Sequence, residues 1–143
     1  MVIELIETVS ADEVDNVSSL TRACKEAGIG ISIDDFGTGY SSLALLKEIN
    51  CDEIKIERTF VTGIRSDSYS YLLINSLIGF SHSHGISVCC EGVESEKDVL
   101  TVARLHPDLY QGFAFDKPCT EQEIEERYIK KSSKEYKERK ALS

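Results

Sequence analysis

Ile31-Ser32-Ile33-Asp34-Asp35-Phe36-Gly37-Thr38-Gly39-Tyr40-Ser41-Ser42-Leu43 is the stretch from which the fold of this 143-residue chain can be read. It opens as a short β-branched run, the composition of a buried strand. It closes on two adjacent carboxylates, a loop with glycines at 37 and 39, and two serines that begin an apolar helical pattern. Parallel α/β folds place their chemistry at the carboxyl ends of strands, beside loops of this kind. Adjacent carboxylates repel, so a site that keeps both charged supplies a cation. Oxygen ligands suit Mg²⁺ or Mn²⁺ better than zinc. The plainer reading has Asp34 and Asp35 closing a loop, and Ser41 and Ser42 read as helix caps.

Outward from this stretch, strand and helix signals alternate. Residues 2–7 are apolar apart from Glu4 and Glu7, and Val14, Val17, Leu20 and Cys24 recur at helical spacing before Gly28. Residues 31–35 are the second strand, followed by a helix marked by Leu43, Leu45, Leu46 and Ile49. Residues 54–56 are the third strand. A longer helix over 68–84 puts Leu72, Leu73, Leu77 and Phe80 inside. Residues 86–91 are the fourth strand, with Val99, Leu100, Val102 and Leu105 on its helix, and 109–113 the fifth. A charged helix runs from about Thr120 and loses its apolar face after Ile129.

This alternation predicts an α/β fold with a parallel sheet and right-handed crossovers. Five strands could make a small open sheet. Polar residues, however, gather within or just after the strands: Glu4, Glu7, Asp34, Asp35, Lys55, Glu57, Glu91 and Gln111. In a TIM-type (β/α) barrel all carboxyl ends share one face, where these groups would converge.

Composition sets the bounds. No apolar run approaches the ~20 residues of a membrane span, and no basic-then-apolar leader opens the chain. Five cysteines without a Cys-x-x-Cys pair read as reduced, mostly buried residues of a cytoplasmic protein, so a zinc site is not expected. The formal charge is −9; residues 121–143 balance at +1, which leaves −10 on residues 1–120. An acidic body argues against binding a nucleic-acid polymer, but it can take a phosphate ligand through a divalent metal.

Several residues stand out singly. Glu4 is a carboxylate between Ile3 and Leu5, costly to bury unless paired or metal-bound; otherwise it faces solvent on an edge strand. Lys55, between Ile54 and Ile56, either pairs with a nearby acid or serves chemistry. Glu91 after a strand is either a surface residue or part of a site, and Glu94 fits a helix start. The three histidines are not expected to bind metal.

Asp34 to Leu43, read together, closely resembles the signature loop of the EAL family, the phosphodiesterases that hydrolyse cyclic di-GMP. Glu4-Leu5-Ile6-Glu7 resembles the family's Glu-Leu-Thr-Glu strand, with Ile6 in place of Thr. Ile54-Lys55-Ile56-Glu57 resembles Leu-Lys-Ile-Asp, with Glu57 in place of Asp. Glu91-Gly92-Val93-Glu94 matches Glu-Gly-Val-Glu, and Gln111-Gly112-Phe113 resembles Gln-Gly-Tyr or Gln-Gly-Phe. The resemblance implies metal-dependent hydrolysis of cyclic di-GMP to the linear dinucleotide at a two-metal site. It implies metal ligation by Glu4, Asp34, Asp35 and Glu91, catalytic roles for Lys55 and Glu91, a loop-steadying role for Glu7 and ligand ordering by Gln111.

The Glu-Ala-Leu tripeptide that names the family and the Asn-bearing strand after it do not occur in this sequence, and a complete TIM barrel has eight strands. The expectation is therefore a partial barrel of about five β/α units, its first part missing, over residues 1–120, with a charged helix or tail over 121–143. Such a fragment is expected to be nearly inactive alone, with an incomplete Mg²⁺ or Mn²⁺ site, and to form a homodimer through its open sheet. The alternative is a non-catalytic, cyclic di-GMP-related regulatory or interaction module on a half-barrel scaffold.

Overall fold

The computed structural model describes residues 1–6, 14–37, 46, 48–125 and 127. Five parallel strands, β1 (Val2–Ile6), β2 (Gly30–Phe36), β3 (Glu53–Ile56), β4 (Ser87–Cys90) and β5 (Leu109–Tyr110), lie side by side in sequence order. The helices whose bounds fall among the described residues are α1 (Val14–Glu26), α2 (Arg58–Val61), α3 (Ser68–Ser83), α4 (Glu96–Val102) and α5 (Glu121–Ile124); a 3₁₀ turn (Ala103–Leu105) continues α4.

Strand alternation divides the sheet into two faces. Ile31, Ile33, Ile54, Ile56, Val88 and Cys90 are buried in the core with Val61, Ile74, Leu77, Ile78 and Val102 of the helices. Burying an isoleucine contributes about 1.5–3 kcal/mol, so this layer carries much of the stability. The alternate positions form the other face: Val2, Glu4 and Ile6, then Ser32 and Asp34, then Lys55 and Cys89. On that face Val2, Ile6 and Leu109 are more than half exposed.

The helices depart from expectation in which stripe faces inward. In α3 the buried residues are Ser70, Ile74, Leu77, Ile78 and Ser81, while Leu72 and Phe80 are exposed. The helix carries apolar residues around most of its circumference, and packing selects the stripe that includes two small serines, which let the backbone approach the sheet. Leu20 and Leu100 also point outward. The fifth strand stops at Tyr110 rather than 113. There the chain turns around Val93, whose N donates to Gln111 O at 3.1 Å and whose O accepts from Ala114 N at 3.0 Å. A side chain at Gly112 would meet Val93 O at 2.2 Å. Leu46 and Ile49 are buried as expected; Leu43, Leu45, Ser41, Ser42 and the helix beyond residue 127 lie outside the described residues. All five cysteines are free, four of them buried.

One device occurs twice at the amino-terminal end of the sheet. Asp52 N donates to Ile31 O at 2.8 Å, and its Oδ2 accepts from Ile31 N at 2.8 Å. Asp108 repeats this with Val88, at 2.9 and 2.7 Å. A nitrogen side chain from the preceding long helix completes each: Lys25 Nζ lies 2.7 Å from Asp52, and His82 Nε2 lies 2.9 Å from Asp108. His82 is thus a tie between α3 and the sheet. Burial alone would raise both carboxyls, but these bonds hold them below the ordinary range. A carboxyl depressed in the folded state stabilises above its unfolded pKa of about 3.9 and loses that contribution as pH falls through the folded value. Asp108→Asn should therefore cost about 1–2 kcal/mol near neutral pH, discounted for its half-exposed side chain, and the deficit in urea unfolding should shrink towards pH ~2. An unchanged midpoint at neutral pH would remove this tie from the account.

Candidate metal centre

Lys55 occupies the middle of the polar face. Its neighbours Ile54 and Ile56 are fully buried, so the backbone is anchored and the side chain, only 10% exposed, rises between three acids. Its Nζ lies 2.8 Å from Glu91 Oε1, 3.1 Å from Asp34 Oδ1 and 3.3 Å from Glu4 Oε1. Burial alone would lower this amine; the carboxylates of Glu91, Asp34 and Glu4 outweigh it and hold Lys55 above an ordinary lysine. Lys55 is therefore a fixed cation at neutral pH, unsuited to act as a base.

The two aspartates reach the same site through an irregularity in β2. In a regular strand consecutive side chains point to opposite faces. Here Ile33 pairs with Ile54 but Phe36 pairs with Ile56, so β2 holds one residue more than β3 across the same span. This is a bulge. Within it Asp35 has φ 53°, the left-handed region that Asp tolerates better than most residues. The next turn is made by Gly37 at φ 108°, where a Cβ would stand 2.7 Å from the Phe60 ring. As a result one carboxylate oxygen each from Asp34, Asp35 and Glu91 lies within 4.8 Å of the others.

These groups fit a hard divalent cation. All three contribute oxygen, the donor type Mg²⁺ and Mn²⁺ prefer. Asp34 Oδ1 is buried and accepts no hydrogen bond, with the Lys55 ammonium at ion-pair distance from it. A buried acceptor in that state is one a cation would satisfy. The thiols nearby offer nothing comparable: burial, then the charges of Glu53 and Glu91, push Cys89 up to about 11, and burial pushes Cys90 up to about 12, so neither is a thiolate at neutral pH.

A cleft of about 430 Å³ opens beside Glu91, bounded by Gly92, Gln111, Phe113 and Asp116. Gln111 is exposed there. Lys117 Nζ sits 5.8 Å from the centre of the Phe113 ring. Arg58 pairs with Glu94 at 3.3 Å across the cleft wall; Glu94 lies near the start of a helix as expected, next to Ser95, the residue that caps α4. Glu57 caps α2 by accepting from Thr59 N at 2.7 Å, so the Glu in place of Asp serves the backbone. Arg58 and Lys117 were not legible as site residues, since isolated surface cations carry no pattern. Gly92 held a signal: at φ 70° its absent Cβ leaves room for Arg58, whose Cβ would stand 2.3 Å away. Glu7 and residues 38–43 of the signature loop lie outside the described residues.

Residues 1–118 match the family model described as the EAL domain. MucR of Pseudomonas aeruginosa, described as a bifunctional diguanylate cyclase/cyclic di-GMP phosphodiesterase, is 31% identical over 124 residues, covering 87% of this chain. RocR from the same organism, a cyclic di-GMP phosphodiesterase, is 39% identical over 95 residues, or 66% of this chain. The chain spans 18% of MucR and 24% of RocR. The solved EAL domain of Mycobacterium smegmatis DcpA aligns with a TM-score of 0.84 at 32% identity, covering 90% of this chain and 58% of that one. Klebsiella pneumoniae BlrP1, solved as a manganese/cyclic di-GMP complex, aligns at 0.78 and 33% identity, covering 82% and 30%. The five β/α units are accordingly a partial barrel of this type.

Removing the central cation tests the geometry directly. Lys55→Met should destabilise the chain by about 3 kcal/mol, since one partner leaves several acids uncompensated. Millimolar Mn²⁺ should then raise the melting temperature of the variant more than that of the parent. Wild-type stability in Lys55→Met would contradict the convergence of these acids.

Proposed function

This chain belongs to the EAL domain family, and we propose that it forms the later part of a domain that hydrolyses one phosphodiester bond of cyclic di-GMP to give the linear dinucleotide. The observation that carries this reading is the approach of Asp34, Asp35 and Glu91 within 4.8 Å, with a buried Asp34 oxygen lacking a hydrogen bond. The descriptions of MucR and RocR support the same substrate.

In this reading Asp34, Asp35, Glu91 and Glu4 would hold two divalent cations, Mg²⁺ or Mn²⁺. The bound cations supply Lewis acidity and a water made nucleophilic at neutral pH. Lys55, permanently charged, faces the phosphate and stabilises charge that develops on its oxygens. Glu91, at the mouth of the cleft, orients the attacking water and accepts its proton. Gln111 presents its amide to the ligand, and Glu7 steadies the signature loop. Residues 1–120 make the barrel part and residues 121–143 a separate charged segment. Ligands from the Glu-Ala-Leu and Asn-bearing strands complete the site from outside this chain, so the chain alone is nearly inactive. It covers its open sheet face, with exposed Val2, Ile6 and Leu109, by pairing with a second copy. Its five free thiols favour a reducing, cytoplasmic setting, and among the described residues no helix is long and apolar enough to cross a membrane.

One observation favours a second reading. Lys55 already contacts three carboxylates, as it would in a non-catalytic module that uses the cluster only to brace the scaffold. Calorimetry with Mn²⁺ separates the two: the enzyme reading expects heat for the parent and at least a tenfold weaker constant for Asp34→Asn, whereas equal heats favour the module. A protein carrying this chain together with the Glu-Ala-Leu strands should hydrolyse cyclic di-GMP with added Mn²⁺. Glu91→Gln should reduce turnover by about 10²-fold or more. Binding without cleavage by the unmodified protein would overturn the enzymatic reading. The isolated chain should elute as a dimer by light scattering, and a 15.9 kDa species would contradict the pairing.

A further inference from the structure

We propose that the groove between α3 and α4, on the outer helical layer away from the metal centre, docks an acidic, leucine-bearing helix of a partner protein. The groove has a volume of about 720 Å³ and is lined by residues of both helices and of the turn before α3. Its charged lining residues are Arg65, Lys97 and Arg104, and no acid lines it. That composition stands out in a chain with 25 acids and 16 bases. None of the three cations has an ion-pair partner among the described residues.

Of the acids nearest in sequence, Glu96 makes no ion pair with these cations among the described residues, and Asp67 and Asp98 bond groups of their own helix starts. Asp67 caps α3 by accepting from Tyr69 N at 3.0 Å and also bonds Ser70 Oγ. Asp98 accepts from Ser95 Oγ at 2.6 Å. The cations are therefore not neutralised locally.

The apolar content of the groove is equally specific. Lys97, Leu100, Thr101 and Arg104 follow the i, i+3, i+4, i+7 spacing that makes one helical face, while Val99, Val102 and Leu105 turn to the core. Leu100 is 66% exposed in the middle of that cationic face, and Leu72 of α3, 63% exposed, lines the same groove. Neither leucine belongs to the core cluster of the described residues, since each helix buries a different stripe. A helix laid in such a groove seats apolar side chains against the leucines and its flanking acids against the three cations. Concavity separates this from a membrane contact, which needs a projecting apolar face.

The test uses the 143-residue chain and a fluorescent, end-blocked peptide of about 18 residues, long enough for five helical turns. The peptide carries leucine at i, i+3, i+4 and i+7 with glutamate at most other positions; its isomer has lysine for every glutamate. Fluorescence anisotropy should show the glutamate peptide binding at least about tenfold tighter than the lysine isomer, and weakening with salt. Arg104→Glu and Leu100→Asp, both on the surface and expected to keep the parent melting temperature, should each weaken it by about tenfold or more. No binding of the glutamate peptide, equal binding of the two isomers, or unchanged binding by the two variants would each overturn the proposal. So would capture of the chain by phosphatidylserine vesicles without any binding of the peptide.

Discussion

The ammonium of Lys55, held between carboxylates that arrive from three different parts of the sheet, governs the polar end of this molecule. Glu4 comes from the first strand, Asp34 from the second and Glu91 from the turn after the fourth. Two like charges about 4 Å apart cost about 4 kcal/mol at an effective dielectric of 20, so the acids could not gather without a cation among them. Lys55 supplies that cation and cannot withdraw, because fully buried isoleucines flank it. Counted with Asp35, however, four acids face one base. That residual negative charge, with a buried Asp34 oxygen that accepts no hydrogen bond, is the ground on which we propose the cluster as a receptor for divalent metal.

Backbone geometry decides which acids take part. Without the bulge opposite β3, Asp34 and Asp35 would point to opposite faces, one to the centre and one to the helices. The extra residue and the left-handed turn at Asp35 bring both to one side. Strain of this kind costs of order 1–3 kcal/mol and persists where the surroundings enforce it. Here the buried Phe36 and the glycine turn packed against Phe60 do so.

The sequence made the alternation of strands and helices legible, since Ile31, Ile33, Ile54 and Ile56 sit where a two-residue period requires, and the acids and Lys55 interrupt it. It did not reveal the bulge, because an aspartate at positive φ looks like any other aspartate. The inward stripe of α3 was hidden for a different reason. A helix with apolar residues on several sides has no unique periodic solution, and the choice of Ser70 and Ser81 over Leu72 and Phe80 depends on the shape of the sheet beneath. The end of β5 depended on Val93, a residue earlier in the chain by 18 and 21 positions than Gln111 and Ala114, which bond it. The cleft cations, Arg58 and Lys117, become meaningful only once the fold places them beside Glu91.

The central claim is that Asp34, Asp35 and Glu91 form one receptor for a divalent cation. The most direct measurement is paramagnetic broadening of backbone amide resonances during a substoichiometric Mn²⁺ titration. The account predicts that the amides of Asp34, Asp35, Lys55 and Glu91 broaden first and together, ahead of those around Glu121 and Glu123. Broadening that begins at those surface acids, or that spreads evenly over the acidic surface, would contradict it.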